Sequence, residues 1–226
     1  MAQKRGKRYD VSQLTENQHQ PGSRGRVLKN LLAITTKREM DDVEARQQLR
    51  ALRELIVVYD ETHMFTAADV CKIHRTWLGS IYSWAGGYRQ VNVTKGDFPF
   101  AAAMEIPKLM TELEKGPLRE FTPCRFDSDD RVVRALATVH GELMLIHPFR
   151  EGNGRAGRLL AILMGLQARL PPLDFTGIKG KKRQQYFAAV RAGIGRDYEP
   201  MERIFSDVVL RSRRAASRAG SGPDMP

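Results

Sequence analysis

The chemistry-bearing residues of this chain crowd into one stretch, His147-Pro148-Phe149-Arg150-Glu151-Gly152-Asn153-Gly154-Arg155-Ala156-Gly157-Arg158. A histidine such as His147 is neutral near pH 7 and can take a proton from an attacking hydroxyl. Glu151 is an acceptor-only, hard oxygen ligand suited to a phosphate-bound magnesium ion. Arg155 and Arg158 stand three residues apart, so a helix puts them on one face, and planar guanidinium forks match phosphate oxygens. Gly152 and Gly154 permit positive φ, and Asn153 tolerates it. A turn of that kind can aim successive backbone N–H groups at one point and form an anion-binding nest. The set describes phosphoryl or nucleotidyl transfer.

Several elements must hold these groups in place. Ser128 caps a helix whose apolar positions Val132, Val133, Leu136, Val139, Leu143 and Met144 deliver His147 at its end. Pro148 then stops that helix. The run Leu159 to Leu166 reads as a buried helix beginning in the turn, where orphan donors and the macrodipole favour phosphate. Phe149 reads as a packing anchor and Arg150 as solvated. Earlier, Lys37 to Val58 has helical spacing, and Thr66 with Asp69 starts a helix carrying Val70, Ile73, Trp77, Leu78 and Ile81. Val91-Asn92-Val93, a turn at Thr94-Lys95-Gly96-Asp97, and Phe98-Pro99-Phe100 predict a short β-hairpin. Helix resumes over Ala101 to Leu113, and Pro171-Pro172 ends the helix that follows the motif. Lys182 to Ala192 and Met201 to Arg211 read as two further helices. The opening residues read as an irregular lead-in and Arg213 to Pro226 as disordered.

At 226 residues the chain suits one domain, and 37 Lys+Arg against 26 Asp+Glu give a net charge of +11. Much of that excess sits near the ends, at Lys4, Arg5, Lys7, Arg8, Arg211, Arg213, Arg214 and Arg218. No nucleic-acid motif accompanies it, so solvated tails are expected and direct nucleic-acid binding is not. Cys71 and Cys124 form no CxxC spacing and no disulfide framework, which fits a reducing compartment. With no apolar signal stretch and no run of the ~20 residues a bilayer requires, the chain reads as made and folded in the cytoplasm, away from membranes.

The stretch 147–158 resembles the signature of the Fic family, His-x-Phe-x-(Asp/Glu)-Gly-Asn-Gly-Arg-x-x-Arg, with every fixed position filled. The resemblance extends over Lys72 to Arg89 and Pro21 to Ile34, and covers roughly residues 20 to 210. It implies an all-α fold, a helical bundle around a central buried helix with the hairpin as a flap beside the active site. The implied organisation is a mobile lead-in over 1–20, the Fic domain over 21–211 and a basic disordered tail over 212–226.

The implied activity is transfer of AMP from ATP, with Mg2+, to a Tyr, Ser or Thr hydroxyl of a target protein. In that scheme His147 is the base and Glu151 holds the metal. Gly152, Asn153, Gly154, Arg155 and Arg158 hold the phosphates, and Tyr186 faces the adenine unless it is a core tyrosine. Val93, Thr94, Lys95, Gly96 and Asp97 align an extended target segment by main-chain pairing. Ser12 to Asn17 matches the family's inhibitory pattern (Ser/Thr)-x-x-x-Glu-(Gly/Asn), in which Glu16 would pair with Arg158. The lead-in from Pro21 resembles relatives held by a separate small antitoxin, so inhibition in trans is preferred to inhibition by Glu16. A toxin or a secreted effector are the contexts the family suggests. Family kinases carry a lysine where Gly154 stands, so this chain departs from them. Other nucleotides or phosphocholine remain possible donors, and the rival class is a basic nucleotide- or nucleic-acid-binding protein without catalysis. Complete retention of base, metal ligand and arginines speaks against that rival.

Overall fold

The computed structural model of the chain describes residues 13–220. Helix α1 spans Lys37–Val58, with the Thr36 side chain accepting from the Glu39 N–H. Helix α2, Ala67–Leu78, opens in a full capping box, Thr66 and Asp69 each satisfying the other's backbone N–H. Such caps contribute about 1 kcal/mol each. The hairpin strands β1 (Thr94–Lys95) and β2 (Phe98–Pro99) pair antiparallel, Thr94 opposite Pro99 and Lys95 opposite Phe98. A lone hairpin is marginal. This one leans on a later helix through an Asp97–Arg191 ion pair at 2.7 Å and through Lys95, whose Nζ lies 3.8 Å from the Phe187 ring centre.

A 3-10 turn at Ala103–Glu105 leads into α3, Ile106–Leu113, so helix starts later than the expected Ala101. A π turn over Glu114–Leu118 then passes into the single turn α4, Arg119–Phe121. Helix α5, Asp129–Ile146, is capped by Ser128 and ends one residue before His147. Helix α6, Asn153–Gln167, is the buried centre of the bundle, with Leu159, Leu160, Leu163 and Met164 all within 2% of complete burial. Gly157 lets α5 come close: a Cβ there would stand 2.7 Å from the Met144 methyl and 3.2 Å from the His140 ring. Helices α7 (Lys181–Ala192) and α8 (Glu199–Gly220) complete the bundle, α8 packing along α5. Trp77, Leu78, Phe205 and Leu55 fill the core between them.

Both ends of the domain depart from expectation. The expected disorder from residue 212 is corrected, because α8 continues to Gly220. The physical reason is long-range: Ser212, 2% exposed, accepts from the Asp174 N–H and donates to the Val208 carbonyl at 2.8 Å each, and Arg213 pairs with Asp129 on α5. The lead-in is also ordered where it is described. His19 and Leu28 bridge, the Gln20 N–H donates to the Val27 carbonyl at 2.9 Å, and the Leu31 N–H donates to the Ile81 carbonyl at 2.8 Å. Residues 1–12, Ser12 among them, and 221–226 lie outside the described residues. Among the described residues no helix is long and apolar enough to cross a membrane.

Ser212→Ala removes a buried hydrogen-bond bridge worth about 1–2 kcal/mol, which for a chain of this size lowers Tm by about 3–6 °C. Calorimetry should show that drop; an unchanged Tm would mean the end of α8 contributes nothing.

Candidate active site

His147 closes α5 in the left-handed region, φ 51° and ψ 59°, with its N–H still donating to the Leu143 carbonyl at 3.0 Å. That conformation costs a non-glycine residue about 1–2 kcal/mol, so the surroundings must impose it. Arg89 does so. Its side chain is 1% exposed, and Nε donates to the His147 carbonyl at 2.8 Å while Nη2 reaches the Ile146 carbonyl at 3.4 Å. The Arg89 N–H donates to the Pro148 carbonyl at 2.9 Å. On its other side the same guanidinium holds the two bases of the flap, Nη1 to the Val91 carbonyl at 2.7 Å and Nη2 to the Ala101 carbonyl at 2.6 Å. Burial lowers its affinity for a proton, and the charge of Glu16 opposes that.

The loop after His147 is locked from within. Phe149 is fully buried and stacks on His74, ring centres 3.8 Å apart. The Asn153 amide closes the loop, its Oδ1 accepting from the Phe149 N–H at 2.8 Å and its Nδ2 donating to the Phe149 carbonyl at 2.7 Å. Asn153 lines the cavity, and its side chain is in addition a clamp within the loop. Gly152 is required by both conformation and space, since φ is 85° and a Cβ would meet the Trp77 ring at 2.8 Å. Gly154 lies in the first turn of α6 with nothing within 4 Å of where a Cβ would stand, so a ligand can approach that backbone closely. His74 accepts from the Gly86 N–H at Nδ1, 2.9 Å, which leaves Nε2–H to donate to the Glu151 carbonyl at 3.0 Å.

A cavity of about 400 Å³ gathers His147, Glu151, Gly152, Asn153, Gly154, Arg155 and Arg158 with Val93, Thr94 and Lys95 of the flap. That volume falls in the usual range for a small-molecule site. Burial pushes the His147 imidazole down to about 4; Arg89 and Lys95 act in the same direction, and the Met144 carbonyl opposes them. The ring stacks on Phe100 with centres 3.7 Å apart, and its Nδ1 is shielded from solvent. The His147 imidazole is therefore neutral at pH 7.

Arg155 is partly committed. One nitrogen lies 2.7 Å from Oε2 of the buried Glu44, at ion-pair distance though without hydrogen-bond alignment, and another lies 3.5 Å from Glu151. Glu44 in turn accepts from the Tyr82 hydroxyl at 2.8 Å. The Nε atoms of Arg158 and Arg150 are both buried without a hydrogen-bond partner. Arg150 thus lines the cavity, and its reading as a solvated residue is corrected. Arg183 from α7 and Phe100 join the lining as well; no spacing in the sequence marks either. Gly96 and Asp97 form the flap tip and stand outside the cavity.

Two further expectations meet different surroundings. Tyr186 is 6% exposed and its hydroxyl lies 2.7 Å from His140 Nε2, so it belongs to the core and does not line the cavity. Its neighbour Phe187 instead lines a smaller cavity of about 120 Å³ with Phe98 and Val190, which shares Lys95 and Phe100 with the larger one. Glu16 is 6% exposed and accepts from the Gln90 N–H at 2.7 Å, and it is not paired with Arg158.

The Fic/DOC family model matches residues 64–164, which contain all of the motif loop and the flap. A probable protein adenylyltransferase Fic of Escherichia coli K12 is 30% identical over 197 residues, covering 81% of this chain and 88% of that protein. The chain belongs to the Fic/DOC family. A protein adenylyltransferase of Bartonella henselae is 29% identical over 205 residues, 80% of this Fic chain but only 34% of that longer protein. Among solved structures, the N-terminal Fic domain of a VirB-translocated Bep effector from Bartonella quintana, determined with bound ADP, superposes with a TM-score of 0.63 at 26% identity. It covers 80% of this chain and 89% of that one. The Fic fold thus accounts for the all-α bundle with its small hairpin.

The buried His74 and His140 of this Fic domain and the half-buried His147 are each pushed down to about 4, chiefly by desolvation. The unfolded chain binds protons at these sites from about pH 6.5 downward, so it takes up more than the native state until pH passes about 4. Stability should fall through that window as pH is lowered. Urea midpoints measured from pH 7.5 to 4.5 check this; a flat profile would contradict burial of the neutral rings.

Proposed function

We propose that the chain is a protein adenylyltransferase that moves AMP from ATP to a Tyr, Ser or Thr hydroxyl of a target protein. The observation that carries this reading is a neutral imidazole held at the mouth of a helix N-terminus, in one cavity with Arg150, Arg155 and Arg158. Polyphosphate fits the first turn of α6 at Gly154 and the free edges of Arg158 and Arg150. The adjoining small cavity, walled by Phe98, Phe100 and Phe187, offers an aromatic slot for the base. A Fic relative determined with bound ADP supports nucleotide binding by this fold.

In the reaction His147 Nε2 takes the proton from the target hydroxyl as its oxygen attacks the α-phosphorus. The bond from the α-phosphorus to the α,β-bridging oxygen breaks and pyrophosphate leaves, its charge met by the arginines. Glu151, with its carboxylate 49% exposed, suits a Mg2+ ion held mainly through substrate phosphates. Among the described residues no cluster of three or more His, Cys, Asp or Glu side chains forms an all-protein metal cage. Bound there, the ion would offset charge on the departing phosphates. Thr94 and Lys95 on β1 can pair with an extended target segment and present its hydroxyl to His147. Arg158 has no carboxylate partner among the described residues, so an inhibitor in trans could occupy it. We take the cytoplasm as the compartment, since ATP is plentiful there and Cys71 and Cys124 are both free thiols.

His147→Ala should lower transfer of labelled AMP by about 10²–10⁴-fold while ATP binding stays within about threefold. Transfer at the wild-type rate would remove His147 as the base and with it this reading. Bound polyphosphate brings negative charge beside the imidazole and raises its affinity for a proton. The acid limb of kcat, which reports the complex, should therefore lie at higher pH than the acid limb of kcat/KM, which reports the free enzyme. Coincident limbs would mean that phosphate and imidazole do not share the site.

A further inference from the structure

We propose that Glu16 and Arg89 are positioning residues for transfer, so that the N-terminal segment supports the active geometry instead of blocking it. This rests on the transferase reading above. The Arg89 guanidinium is buried, and the acceptors around it, the carbonyls of Val91, Ala101, Ile146 and His147, are all neutral. A buried cation among neutral dipoles needs a nearby counter-charge. Among the described residues no carboxylate forms an ion pair with Arg89. Glu16 comes nearest to that role: it is 6% exposed, and its Oε1 is fixed at 2.7 Å by the N–H of Gln90, the residue that follows Arg89. Its charge favours the protonated guanidinium.

The connections form one chain of contacts. Glu16 holds the backbone at Gln90. The preceding backbone N–H of Arg89 holds Pro148, and the Arg89 side chain holds His147 and both flap bases. The flap then returns Phe100 onto the His147 ring at 3.7 Å. An inhibitory glutamate would have to reach the phosphate-binding arginines. Here Glu16 sits in a 3-10 turn of three residues, Thr15–Asn17, and spends its carboxylate on Gln90. Loosening that contact lets loop and flap drift, and displacements of an ångström are enough to cost rate without costing nucleotide affinity.

The test uses the full chain with Glu16→Gly and Glu16→Gln, measuring AMP incorporation into lysate protein and, by NMR, the His147 ring resonance. Glu16→Gly should lower kcat about tenfold with KM for ATP within about twofold, and Glu16→Gln, which keeps an acceptor for Gln90, should recover part of the loss. The His147 ring resonance should move in Glu16→Gly, because the Phe100 ring current changes. In an Arg89→Lys background Glu16→Gly should cost less than it does alone, the mark of a coupled pair. A kcat equal to or above wild type, or an unmoved His147 resonance, overturns the proposal. If the wild-type chain transfers no AMP, the transferase reading fails and the resonance comparison alone decides this one.

Discussion

A guanidinium ringed by backbone carbonyls is the contact on which the geometry of this site depends. Arg89 takes the carbonyls that α5 leaves unsatisfied at its end, where the helix dipole favours a cation. It also takes one carbonyl from each base of the flap. A lysine could not reproduce this, because its donors diverge from one point while the fork reaches in several fixed directions. The left-handed turn at His147, the placement of the hairpin and the stacking of Phe100 on the imidazole all follow from that residue.

Around it the site is preorganised electrostatically. Keeping His74, His140 and His147 neutral costs stability whenever protons are plentiful, and it leaves the His147 ring uncharged at neutral pH. Cations dominate the cavity wall, yet they are not equivalent. Arg155 is restrained by the buried Glu44 and by Trp77, whose ring centre lies 4.6 Å from its guanidinium carbon. Arg158 and Arg150 have unsatisfied donors and more to gain from a phosphate. An anion in the cavity would gain most from the donors that protein groups leave unpaired.

What local chemistry decides was legible in the chain. The caps at Thr66 and Ser128, the stop at Pro148 and the apolar run of α6 each rest on neighbours within a few residues, and the elements they predict are present. The motif likewise named the residues that meet in the cavity. What failed was decided by distant partners. Ser212 and Arg213 look like tail residues until Asp174 and Asp129 are seen beside them. Tyr186 and Phe187 differ by one step around α7, and helical spacing does not say which of the two lines a cavity. Arg183 and Glu44 carry no motif of their own, and Asn153 shows its clamp only once the loop is folded.

The proposed transfer depends on the placement of one phosphorus atom relative to one imidazole. A crystal structure of the chain with magnesium and a non-hydrolysable ATP analogue tests it most directly. The α-phosphorus should stand before His147 Nε2 with room for a target oxygen between them, the β- and γ-phosphates on Arg158 and the first turn of α6, and the base beside Phe187. A nucleotide lying with its α-phosphate turned away from His147, or bound elsewhere on the domain, would contradict it.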